Sequence, residues 1–187
     1  MNEHLDRSRL IEALDRLGRD LSRRGVFVEL AIYGGSAIML QFEWRRSTED
    51  VDAVVREGYD EAALAPSVKS VAEHMGLDVD WLNNAVGMFT PLHEEDSLFE
   101  ISGTYPTGSN PGLRVLLAKP HYLLAMKLHA LRSLDRDERD MEDARALASH
   151  LGITDETQLH DLYASIHDEA PAPLAAGRFA RVLDPGG

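Results

Sequence analysis

Residues 33–55 read YGGSAIMLQFEWRRSTEDVDAVV, and this stretch decides the fold. A Gly34-Gly35-Ser36 turn follows the apolar run VFVELAIY at 26–33, which reads as a central strand. A short helix is expected over 35–43, packing through Ala37, Ile38 and Leu40, with Trp44 anchoring the bend after it. The chain then enters a second strand that carries Asp50 and Asp52. Residues i and i+2 of a strand project to one face, so two carboxylates stand side by side while Val51, Ala53 and Val55 face the core. In extended chain Arg46 and Thr48 share that parity; Arg46 could contact a phosphate, and Thr48 could position Arg46 or a substrate oxygen. Adjacent carboxylates repel unless a cation neutralises them, and a hard divalent ion can bridge them to phosphate oxygens. Glycines permit close backbone approach, Ser36 can offer a hydroxyl or cap a helix, and a helix N-terminus suits a triphosphate. The competing reading of Asp50 and Asp52 is a solvated strand end. The segment is neither a P-loop, which needs Gly-Lys-Ser/Thr, nor a dinucleotide fingerprint, which needs three spaced glycines.

Upstream, Leu10, Leu14, Leu17 and Leu21 recur at helical spacing between charges, predicting an amphipathic helix over 3–24 that stops at Gly25. It packs across the sheet and could also help form a homodimer. Downstream, 59–76 predicts a second helix with Pro66 inside it; His74 near its end has no neighbouring ligand partner. In LDVDWLNNAVGMF, Asp80 reads as an N-cap of a helical turn packed through Trp81, Leu82, Ala85 and Val86. FTPLHEEDS at 89–97 is an acidic loop whose His93 could attract a metal or simply be solvated. LFEISG at 98–103 is a strand; its Glu100 could supply a third carboxylate or merely mark an exposed face. YPTGSNPG at 105–112 is a turn-rich connector, and RVLLA at 114–118 a further strand.

The remainder is helical. Lys119-Pro120 opens a dense apolar helix in which Lys127 either snorkels to the surface or points into a cleft. The charged turn SLDRDERD leads to a helix whose Asp140 and Asp143 are neighbours on one face. Helices at about 155–167 and 171–182 close the chain. The expected architecture is a mixed α/β sheet domain over 1–112 with flanking helices, and a helical lobe over 113–187 whose first strand can belong to the core sheet.

Bulk properties set limits. With 187 residues, 44% of them apolar, the chain can bury a substantial core. A net charge of −13, from 32 acidic and 19 basic side chains, opposes broad attraction to nucleic acid or anionic membrane without forbidding a local basic patch. There are no cysteines, which excludes disulfides and thiolate metal sites and is compatible with a reducing compartment. MNEHLDRSRL lacks an apolar signal core, and no apolar run approaches a membrane span. A cytoplasmic chain with no membrane partner is therefore expected.

The Gly-Gly-Ser turn followed by D-x-D resembles the nucleotidyltransferase superfamily, and more closely the AbiEii toxin-like group with its DUF6036-type domains. The resemblance extends to Asp80-Trp81-Leu82-Asn83-Asn84, to the K-x-x-A element at Lys127–Ala130, and to the D-x-x-D-x-x-x-L element from Asp140 through Asp143 to Leu147. It implies a nucleotidyltransferase-like fold in which Asp50 and Asp52 hold Mg²⁺ and Gly34, Gly35 and Ser36 position the phosphates of an NTP. Lys127 would contact the triphosphate or activate the acceptor. Asp143 would complete the polar site or orient Lys127, with Asp140 as a further partner, and Asn83 or Asn84 would line the cleft. The implied reaction moves a nucleoside monophosphate to a hydroxyl of RNA, protein or a small molecule, in a toxin paired with an antitoxin or in a metabolic enzyme. A non-catalytic protein of the same fold, binding nucleotide or a protein partner, is the alternative. The third strand carboxylate of many such enzymes is unmarked unless Glu100 supplies it.

Overall fold

The structure is a computed structural model and describes residues 4–56, 59–91, 94–133 and 138–184. It is mixed α/β and divides into two compact units. The first comprises the chain up to Met88 together with Glu95–Ala118, and the second comprises Phe89–Glu94 and everything from Lys119 onward. His93, residues 134–137 of the charged turn and the last three residues lie outside the described residues.

In the first unit, β1 (Leu5–Asp6) leads directly into α1 (Arg7–Arg23). Asp6 caps that helix by accepting a hydrogen bond from Arg9 N at 2.8 Å. Leu10, Leu14, Leu17 and Leu21 are completely buried, each contributing about 2 kcal/mol of apolar burial. Then come β2 (Val28–Ile32), α2 (Gly34–Gln41), β3 (Ser47–Thr48), β4 (Val51–Val55) and α3 (Glu61–Met75). Pro66 sits inside α3, which ends at Gly76. β5 (Leu82–Asn83), β6 (Phe99–Tyr105) and β7 (Leu113–Ala118) complete the unit.

The main sheet has the order β5-β4-β2-β7-β6. β2 and β7 run parallel at its centre, and their residues are almost wholly apolar and buried because both faces are covered. β4 pairs antiparallel with β2, setting Ala53 opposite Ile32, and β6 pairs antiparallel with β7, setting Glu100 opposite Leu117. β1 and β3 form a separate two-stranded ribbon. The strand at 113–118 is thus part of the core sheet, and the compact unit ends at Ala118 rather than at residue 112.

Two local expectations fail. The segment after Asp80 does not start a helical turn at Trp81. Leu82–Asn83 instead forms edge strand β5, parallel to β4, followed by a 3₁₀ turn over Ala85–Met88. Trp81 is buried, donating its indole N–H to Val68 O at 3.2 Å, and this anchors the edge strand against α3. Asp80 is not the cap: its own N–H donates to the Asp78 carboxylate. Nor is the chain from Arg46 to Asp52 continuously extended. It bends at Glu49–Asp50, between β3 and β4, so Arg46 is exposed while Thr48 is buried.

The second unit contains α4 (Pro120–Ala130), α5 (Glu138–His150), α6 (Glu156–His167), α7 (Pro173–Ala176) and α8 (Phe179–Leu183). α4 packs on both α5 and α6, and Leu123, Leu124, Leu128, Leu147, Leu159 and Tyr163 of these helices are buried. Asp155 and Gln158 form a reciprocal capping box at the start of α6. Among the described residues no helix is long and apolar enough to cross a membrane.

Candidate functional site

The turn from β2 into α2 and the bend before β4 are built around one another. Tyr33 N donates to Asp52 O at 2.9 Å, extending the β2–β4 ladder to the point where α2 begins. Gly34 has a φ of +58°, a left-handed conformation that side chains disfavour. A Cβ placed there would also lie 2.7 Å from Asp52 Oδ2, so the Asp52 carboxylate rests directly over the Gly34 backbone. At Gly35 a Cβ would meet Arg45 Nη2 at 2.9 Å. The two glycines are therefore cradles, one for an acid and one for a guanidinium. The N-cap residue Tyr33 offers no side-chain acceptor to the first turn of α2, whose leading N–H groups have no intrahelical partner.

Asp50 is fixed by three side chains. The hydroxyls of Ser36 and Thr48 both donate to its carbonyl oxygen, at 2.8 and 2.9 Å, filling both lone pairs. Asn83 Nδ2 donates to its carboxylate at 3.0 Å. The orientation of that amide follows from its other end, because Asn83 Oδ1 accepts from Ala85 N at 2.9 Å. Asn83 is also the cross-strand neighbour of Asp52, so it borders both acids. Its companion Asn84 turns away to Glu61, at 3.2 Å.

This geometry changes several expected roles. Ser36 and Thr48 hold the Asp50 peptide rather than presenting hydroxyls to a ligand. Arg45, half-buried and donating to Ser47 O at 3.0 Å, lies against the glycine turn; Arg46 is exposed to solvent. The arginine pair alone could not say which member faced inward, because that depends on the bend. Glu100 is not a third carboxylate for this site. Cross-strand neighbours share a face, and the row Ala53, Ile32, Leu117, Glu100 runs on the face opposite Asp52. β6 is also three strand positions from β4, about 14 Å. On the Asp52 face the strand carboxylate that remains is Glu29, four residues down β2 from Tyr33, where it pairs with Arg114 at 2.9 Å.

The later elements of the pattern meet inside the helical unit. Lys127 Nζ lies 2.6 Å from Asp140 Oδ1 and 2.8 Å from Asp143 Oδ2. All three side chains are largely buried, at 11%, 13% and 4% exposure, so neither a surface-seeking lysine nor a solvated helix start describes them. One ammonium faces two carboxylates. The cluster ties α4 to α5.

Among the described residues no three His, Asp or Glu side chains converge into a metal-binding group. Asp50 and Asp52 nevertheless offer hard oxygen donors beside a turn that a Cβ would fill, a donor set suited to Mg²⁺ rather than to a softer metal. No family model matches the chain, and no curated protein matches it either.

Proposed function

We propose that the protein is a Mg²⁺-dependent nucleotidyltransferase that moves a nucleoside monophosphate from an NTP to an acceptor hydroxyl. The observation that carries this reading is the Asp52 carboxylate seated over Gly34 at the uncapped start of α2, with Asp50 bound to Asn83, the cross-strand neighbour of Asp52. Asp50 and Asp52 would hold the metal. When bound, Mg²⁺ would neutralise charge on the triphosphate and act as a Lewis acid toward its oxygens. The α2 N-terminus would receive phosphate oxygens through its backbone N–H groups, aided by the helix dipole. Arg45 would add a fixed positive charge at Gly35. Ser36, Thr48 and Asn83 keep Asp50 in one orientation, so little rearrangement is needed on binding. The resemblance assigns Lys127 to the triphosphate.

A second reading, nucleotide binding without transfer, is favoured by one observation: among the described residues the strands supply no further carboxylate near Asp52 on its own face. Incubation with each α-labelled NTP, Mg²⁺, cellular RNA and cellular protein separates the two. Transfer that disappears in Asp50→Asn and Asp52→Asn supports the enzyme. Tight NTP binding with no transfer to any acceptor supports the binding protein.

A further inference from the structure

α1 carries a charge opposite to that of the rest of the chain. Residues 7–24 contain six arginines against Glu12, Asp15 and Asp20, a net charge of +3 in a protein of −13. Arg16, Arg19 and Arg23 recur at helical spacing and line a groove of about 210 Å³, whose other wall is Ser70, Val71 and His74 of α3. Each guanidinium is held by an acid on its own helix. Arg16 binds Glu12 at 2.8 Å, Arg19 binds Asp15 at 2.6 Å and Arg23 binds Asp20 at 2.8 Å. A guanidinium has five N–H donors, so one carboxylate orients it without exhausting it. Asp20 itself is compensated. Burial pushes its carboxyl up, but hydrogen bonds from Arg23 and Arg24 outweigh this and lower it to about 2. His74 donates Nδ1–H to Ser70 O at 2.7 Å, which turns Nε2 to the opposite edge of its ring.

Exposure decides the kind of anion. The three arginine side chains are 48%, 61% and 74% exposed, whereas a site for a small phosphorylated metabolite would enclose its cations. From Arg16 to Arg23 the helix rises about 10 Å, a span that covers successive phosphates of one strand. We propose that the α1–α3 groove docks the phosphate backbone of single-stranded nucleic acid through Arg16, Arg19 and Arg23. The contact is local, sequence-tolerant and independent of the transferase reading. Net repulsion from the acidic remainder restricts it to this strip.

Fluorescence anisotropy of the full chain with a labelled mixed-sequence RNA 12-mer, between 50 and 200 mM salt, tests it. Three phosphate contacts predict a log–log salt slope of about −2, or about a 15-fold loss over that range. The triple variant Arg16→Gln/Arg19→Gln/Arg23→Gln should lose at least about tenfold in affinity and most of the slope. The double variant Arg16→Gln/Arg19→Gln should lose several-fold in affinity while keeping the wild-type thermal midpoint, because those i,i+4 pairs contribute little, whereas adding Arg23→Gln removes one of the two guanidiniums on buried Asp20 and lowers the midpoint. Arg181→Gln, which removes an exposed cation from the helical unit, should bind as wild type. No binding at 50 mM salt, equal binding by the triple variant, or an equal loss in Arg181→Gln would overturn the proposal. So would saturation of the groove by pyrophosphate alone in arginine Nε-detected NMR, with no response to the 12-mer.

Discussion

Gly34 is where backbone and chemistry constrain each other most tightly. Its φ of +58° and the 2.7 Å approach of Asp52 Oδ2 to the Cβ position leave no room for a side chain. Gly34→Ala should therefore cost about 1–3 kcal/mol, read in urea denaturation, and should displace Asp52. If Asp52 serves a metal–triphosphate site, the same variant weakens Mg²⁺-dependent NTP binding by more than tenfold in calorimetry. Binding indistinguishable from wild type would show that the cradle serves only the fold. Arg45 and Arg46 provide a paired test, since they share a charge and differ in where the bend places them. Arg45→Gln should reduce NTP affinity several-fold, whereas Arg46→Gln should leave it within twofold. The reverse order would contradict the inward assignment of Arg45.

At the scale of elements, the Lys127 cluster holds α4 against α5. Lys127→Met removes the ammonium that faces two largely buried carboxylates and should destabilise the helical unit by about 3–5 kcal/mol. Adding Asp140→Asn and Asp143→Asn should restore part of that loss, because the two buried carboxylate charges are then gone. A triple variant no more stable than the single would count against charge burial as the cause. A second device joins α4 to α6. His129 Nδ1 lies 2.7 Å from Tyr163 Oη, its ring stacks on His167, and its Nε2 meets Arg132. Arginine only donates, so Nε2 must accept, and the neutral ring carries its proton on Nδ1. Burial first, then the charges of His167 and Arg132, lowers His129 from the usual value to about 4. Because the unfolded chain binds this proton more readily, stability is fully present above pH 6.5 and declines as pH falls toward 4. With allowance for solvent screening the loss is about 1–2 kcal/mol. His129→Phe should flatten that part of the pH–stability curve, and an unchanged curve would refute the assignment.

At the scale of the whole molecule, the long periodic elements were legible in the sequence. α1 follows from its leucine spacing, β2 and β7 from their unbroken apolar runs, and the order strand, glycine turn, helix, acidic strand from the stretch at 33–55. Elements fixed by tertiary pairing were not. β1, β3 and β5 are two residues each and exist because a neighbouring segment offers a ladder, for which local propensity carries no signal. For the same reason the place of Asn83 beside both acids came only as a resemblance, and the face of Glu100 became readable only from register. The pairing of Lys127 with Asp140 and Asp143 was partly visible in the spacing of the two acids along α5. Its burial was not, because that depends on how α4 and α5 pack.

Nucleotidyl transfer at this site requires Asp50 and Asp52 to bind a divalent ion together with a triphosphate. Electron paramagnetic resonance of Mn²⁺, a spectroscopic substitute for Mg²⁺, reads this directly through loss of the free-ion signal when protein and a non-hydrolysable NTP analogue are added. The wild-type protein should take up Mn²⁺ beyond what the analogue binds alone, whereas Asp50→Asn and Asp52→Asn should not. Equal uptake by wild type and both variants, or no uptake by wild type, would contradict the assignment.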